Sequence, residues 1–240
     1  MKTLYKIILA SFIAAQPVLG IAQDSPHSIS GNVTMATDYL YRGQSQTDNG
    51  PTIQGGFDYA NESGIYFGTW ASNINFADKI EWDLYGGYSG ELDNGLGYDF
   101  FVVYYLYPAT TGTTGENFLE FGPSISYTFD GDYEPSIGVG MAYSDDFAFN
   151  SGSSTYVYGD LGFTLANDVG LGFHLGHQSI SDETAWGSPD WMEYNVSLSK
   201  SAMGLDFAIT YSDTDIKESE CFDGGNICDS TIVFSISGGF

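Results

Sequence analysis

Residues 231–240 read TIVFSISGGF. In steps of two, Ile232, Phe234, Ile236, Gly238 and Phe240 share one side of an extended chain, and Thr231, Val233, Ser235, Ser237 and Gly239 share the other. Such a segment needs an apolar phase for one face and a pairing partner for each backbone edge. A barrel closed inside a bilayer supplies both, because its last strand pairs with its first and no edge remains.

The same period of two runs through the chain. In KIEWDLYGGYSG (79–90), Ile80, Trp82, Leu84 and Tyr88 oppose Glu81, Asp83, Tyr85 and Ser89. Leu119, Phe121, Ile125, Tyr127 and Phe129 oppose Glu120, Ser124, Ser126 and Thr128. Met203, Leu205, Phe207, Ile209 and Tyr211 form another apolar side, with Asp206 across from them. A soluble sandwich also alternates, so the connections decide. Twelve strands are expected near residues 29–41, 51–59, 64–73, 79–90, 95–107, 116–129, 133–144, 155–165, 169–178, 190–200, 203–213 and 230–240. Connections after even strands are tight (NES, GELDNG, DGD, AND, KSAMG), and those after odd strands are long and polar (RGQSQTDNGP, PATTGTTGEN, DIKESECFDGGNICDS). Short turns at one end and long loops at the other describe an all-β, up-and-down antiparallel transmembrane barrel of about 12 strands; the pattern alone admits 10 to 14.

The leading segment 1–22 carries Lys2 and Lys6 before an apolar run ending in Gly20-Ile21-Ala22, the pattern of a cleaved export signal. Residues 23–240 then form the barrel domain. Beyond residue 22 there are four basic residues, Arg42, Lys79, Lys200 and Lys217, against 31 acids, a formal charge of −27. That balance excludes nucleic acid as a partner and makes cations the natural counter-species. No zinc, phosphate or nucleotide motif occurs and no cofactor is expected. DGD, SDD and DTD lack the ordered spacing of a calcium loop.

At DYLYRGQSQ (38–46) and GGFDYANESGIYFGTWASN (55–73) the chain resembles the TorF family of proteobacterial porins. EWDLYGGYSGEL, YYLYP, FLEFGPSISY and the terminal IVFSIS…F extend the resemblance over the whole of 23–240. It implies a barrel in the outer membrane of a Gram-negative bacterium, with the bilayer as partner, and supplies no catalytic residues. Ile232, Phe234, Ile236 and Phe240 resemble the terminal signal read by the outer-membrane assembly machinery; Gly238 departs from it, where an aromatic is common.

On the twelve-strand register the inward set includes Asp38, Asp58, Glu81, Asp83, Asp99, Glu120, Glu134, Asp160, Glu193 and Asp206. Unpaired charges in a dry interior would cost several kcal/mol each, so a hydrated lumen with mobile counter-cations is the expected solution. Such a lumen concentrates cations. Arg42 at the end of strand 1 is either a positive element at the pore mouth or a structural ion pair holding the first loop, with Asp38 or Glu81 as candidate partners. Tyr39, Tyr41, Tyr59, Trp82, Tyr88, Tyr105, Tyr107, Tyr143 and Tyr211 are expected outside, in interfacial girdles; Tyr66, Trp70 and Tyr85 are inward candidates. Cys221 and Cys228 in CFDGGNIC fit a disulfide in an exported loop better than a metal pair. His174 is inward, and a Ser or Asp hydrogen-bonded to it would point to a hydrolase.

The reading is a porin-like channel for passive diffusion of ions or small solutes, cation-preferring through an acidic lumen. The alternative is a non-conducting outer-membrane surface or binding protein. A loop folded into the lumen would discriminate the two. Oligomeric state is not readable, because lipid-facing and protomer-facing apolar residues look alike.

Overall fold

Alternation sets the architecture. In the computed structural model, which describes residues 25–76, 79–108, 115–222 and 224–240, the strands in chain order are β1 (His27–Ala36), the short pair β2 (Leu40–Tyr41) and β3 (Gln44–Ser45), β4 (Thr52–Asn61), β5 (Ile65–Asn73), β6 (Ile80–Glu91), β7 (Gly97–Leu106), β8 (Phe118–Thr128), β9 (Ser136–Ser144), β10 (Ser154–Leu165), β11 (Val169–Ile180), β12 (Trp191–Ala202), β13 (Leu205–Thr214) and β14 (Thr231–Gly239). Twelve of them, all but β2 and β3, close into one antiparallel barrel in which each pairs with its neighbours in sequence and β14 pairs with β1. The export signal expected at 1–22 lies outside the described residues.

The outer wall is apolar. Ile29, Ile53, Phe57, Phe67, Phe100, Val157, Leu175 and Phe234 are each more than half exposed. Water would not tolerate a continuous belt of this kind, and a bilayer requires it. No helix among the described residues is long and apolar enough to cross a membrane; the strands do so. Their alternate residues, including Ser30, Thr34, Gln54, Ser72, Glu81 and Glu120, are buried on the inside. An apolar-belted closed barrel with short turns at one end and long loops at the other is an outer-membrane architecture.

The terminal strand behaves as its alternation requires. Val33 faces Gly238 and Met35 faces Ile236 in the closing ladder, and Phe240 exchanges both backbone bonds with Gly31 at 3.0 Å. The Phe240 ring lies outside, 6.3 Å from that of Phe57 and directly over Gly31, where a Cβ would come within 2.7 Å of Cζ. The ring therefore caps the seam where the two ends of the barrel meet.

Two expectations are corrected. The first strand stops at Ala36 rather than running on to residue 41, so Asp38, Tyr39, Tyr41 and Arg42 belong to a loop. Tyr39, Tyr41, Tyr105 and Tyr107 are inside and not in a girdle; three of them are less than a tenth exposed, and Tyr41 packs against that interior cluster. Their hydroxyls are drawn inward by buried carboxylates, as described below. Trp82, Tyr88 and Tyr211 are outward and exposed.

Closure through Phe240 gives the first prediction. Gly31→Leu displaces the ring, and the folded fraction, read as heat-modifiable gel mobility, should fall severalfold below wild type at equal expression. An unchanged folded fraction would remove the seam-capping role.

Candidate functional site: a hairpin folded into the lumen

Residues 37–51 join β1 to β4 and turn inward. Leu40–Tyr41 pairs with Gln44–Ser45 around an Arg42-Gly43 turn with φ of 49° and 81°. Two successive positive φ values make the primed turn that suits a two-residue hairpin, and glycine is the residue that adopts one without strain. Gly43 is also pressed on the wall: a Cβ there would lie 2.6 Å from Thr214 Cγ2 and 3.0 Å from Glu193 Cβ. At the base of the hairpin Asp38 accepts from Ser45 Oγ (2.6 Å) and Thr47 Oγ1 (2.7 Å). Burial lifts the Asp38 carboxyl above its ordinary value, opposed by those two hydrogen bonds.

The hairpin tip crosses the lumen. The guanidinium of Arg42, the chain's one arginine, pairs with Glu120 Oε2 on β8 at 2.7 Å and donates to Gln178 Oε1 on β11. It lies 4.1 Å from the ring centre of Tyr156 on β10 and 4.7 Å from that of Tyr41. The Arg42 carbonyl accepts from Trp191 Nε1 on β12 at 2.9 Å. On the other side Tyr39 donates to Glu81 Oε1 (2.7 Å) and Tyr107 to Glu81 Oε2 (3.0 Å). The hairpin is thus tied to strands from β6 round to β12. Above it Phe147, Ala148, Trp186, Ile216 and the joined Cys221 and Cys228 form a buried apolar layer. Loop 215–230 holds the hairpin from outside, with Ser45 N donating to Ile227 O at 2.7 Å.

A second polar cluster adjoins the tip. His174 places Nδ1 2.8 Å from Asp160 Oδ1 and Nε2 2.6 Å from Glu193 Oε1, and Tyr156 donates to Glu193. The carboxylate expected to revive a hydrolase is therefore present. Both ring nitrogens end on carboxylates rather than on a hydroxyl nucleophile. No serine is bonded to the ring among the described residues.

The remaining acids divide by position. Asp58, Glu81, Asp83, Asp99, Glu120, Asp160 and Glu193 lie on the inner wall, and the two toward the short-turn end are partnered by tyrosines, Asp58 by Tyr85 and Asp99 by Tyr66. Glu134 does not belong there. It sits in the exposed turn 129–135 with φ of 42°, because β9 begins only at Ser136. Asp206 is on the inward face but at the exposed rim, bonded to Ser201. Arg42 takes Glu120 as its partner, and neither Asp38 nor Glu81, because the loop carries it well past both. Sequence reasoning missed Tyr156, Gln178 and Trp191. Tyr156 and Asp160 do share a face in YVYGD, which was the available signal.

Residues 21–240 match the family described as "Bacterial protein of unknown function (Gcw_chp)". The chain belongs to that family. The match does not carry the TorF name. No curated protein matches the chain by sequence. Two solved structures share its fold. The first is described as "KdgM porin", with a TM-score of 0.61 at 9% identity over 88% of this chain and 99% of the other. The second is a "NanC porin structure", with a TM-score of 0.54 at 11% identity over 86% of this chain and 97% of the other.

The Arg42–Glu120 pair gives the second prediction. Glu120→Ala leaves the guanidinium buried without its counter-charge, which costs the docked hairpin about 3–5 kcal/mol. Tryptic cleavage after Arg42 in the folded protein should then accelerate about a hundredfold or more, the ratio that such an energy sets. Equal cleavage of wild type and variant would show that the pair does not hold the loop.

Proposed function

We propose that the protein is a narrow, gated, cation-preferring channel of the Gram-negative outer membrane, through which ions or small solutes diffuse passively. The observation that carries this reading is the charge of the inner wall. Seven carboxylates, those of Asp58, Glu81, Asp83, Asp99, Glu120, Asp160 and Glu193, face inward, and among the described residues Arg42 is the basic side chain paired with them, with the His174 imidazole bonded between Asp160 and Glu193. A low-dielectric wall with that excess raises the local concentration of cations and depletes anions. The fields reach about 8 Å at physiological salt, comparable with a narrow lumen. The porin fold of the two similar structures and the resemblance to TorF-type porins support a channel. The strand β14, ending on Phe240, is the segment that the assembly machinery would read.

The docked hairpin favours a second reading, a non-conducting surface or binding protein whose lumen stays shut. Both readings place the protein in the same bilayer, and conduction separates them. In the gated reading the hairpin swings out and exposes Glu120, Glu81 and Asp83 to the permeation path.

Reversal potential in a planar bilayer under a salt gradient tests the proposal. The wild type should prefer cations, and Glu81→Gln/Asp83→Asn/Glu120→Gln should lose most of that preference, with the largest difference at low salt. A channel that prefers chloride, or whose selectivity ignores the three substitutions, contradicts the acidic-lumen mechanism. Absence of any conductance supports the surface-protein reading.

A further inference from the structure

The Arg42 side chain is held as a ligand would be held. Its guanidinium has a carboxylate from β8 and an amide oxygen from β11 in its hydrogen-bonding plane. Tyr156 and Tyr41 lie against it, at 4.1 and 4.7 Å, and Phe147 stands 5.9 Å away. Apart from Tyr41, these contacts come from residues outside the hairpin. Tyr156 is itself fixed from behind by Glu193 and His174. The receptor is therefore built by the barrel and its loop 145–153, and the hairpin merely inserts a group into it.

The receptor has acceptor capacity left over. Glu120 is fully buried and its Oε1 has no hydrogen-bond partner. Asp83, 7% exposed, also has an unpartnered Oδ1. A planar cation with several N–H groups would satisfy Glu120 through both oxygens while stacking on Tyr156; a compact ammonium cannot do both. The described residues contain no group of three or more side chains arranged to hold a bare metal ion, and the aromatic walls suit an organic cation instead.

We infer that, in the conducting state proposed above and resting on that reading, the wall uncovered by the hairpin binds guanidinium-bearing solutes, with Glu120, Gln178 and Tyr156 as the site and Arg42 as its resident competitor. Solute and hairpin cannot occupy the site together. A guanidinium solute entering the lumen therefore holds the hairpin out. The tethered Arg42 competes at the high effective concentration of an attached group, so the closed form returns when solute is scarce.

The test uses full-length protein in detergent micelles and three probes of one shape class: methylguanidinium, methylammonium with the same charge, and methylurea with the same planar outline and no charge. Arg42→Ala empties the site. Its thermal transition should rise with millimolar methylguanidinium, rise severalfold less with methylammonium, and stay put with methylurea. Arg42→Ala/Glu120→Gln should respond to none. Equal effects of the three probes, or a double variant that responds like the single one, overturn the inference. Should Arg42→Ala not fold, thermal shifts of Gly43→Val, which forces the hairpin off the wall and leaves the site open, carry the same test with the same probes. Potassium current through Arg42→Ala, in which the hairpin no longer competes for the site, gives an independent readout: methylguanidinium should block it at severalfold lower concentration than methylammonium. A cation-selective channel blocked equally by both overturns the guanidinium site and leaves the channel reading standing. An anion-selective channel overturns both.

Discussion

Lipid on one side of a wall one residue thick drives carboxylates and other strongly polar side chains to the other side. That constraint governs this molecule more than any single contact. It converts a simple alternation, such as Trp82 and Leu84 against Glu81 and Asp83, into a belt outside and a ring of acids inside. Closure follows from the same requirement, since an unpaired strand edge in hydrocarbon leaves a row of unsatisfied backbone groups. β14 pairs on β1, and the Phe240 ring covers the seam.

The acids then need donors, and the chain has few cations to offer. Tyrosine fills the gap. Tyr39 and Tyr107 bond Glu81; Tyr41 (3.2 Å) and Tyr105 (3.3 Å) bond Glu120; Tyr66 bonds Asp99, Tyr85 bonds Asp58 and Tyr156 bonds Glu193. A phenol brings a neutral donor on an apolar ring, so it can satisfy a carboxylate and pack in the same place. Glu120 alone receives a guanidinium, and it receives it from a loop. The contact that ties the hairpin across the lumen is thus the one that neutralises the least exposed carboxylate.

Strand positions were largely legible, because period two survives wherever one face meets lipid. All twelve expected strands are present within a few residues of their ends, apart from the first. The first failed for a physical reason: Asp38-Tyr-Leu-Tyr41 continues the alternation of β1, but its tyrosines answer Glu81 and Glu120 rather than lipid headgroups. Alternation reports a face and says nothing about what lies beyond it. The pairing of Arg42 with Glu120 joins residues 78 apart in sequence and could not be read locally. The His174 cluster was partly legible. The three-residue turn Ala166–Asp168 fixes the β10–β11 register and puts Asp160 directly opposite His174, a consequence of turn length that needed only to be counted. Glu134 was misplaced by a strand start set three residues too early.

The central claim is that one inward hairpin closes an otherwise conducting, acid-lined barrel. Single-channel recording of a variant in which residues 38–49 are replaced by a short Gly-Ser linker tests it most directly. The account predicts a persistent open current, larger than that of the wild type and cation-selective. A variant that folds and remains silent would contradict it, and would make this barrel a closed structural one.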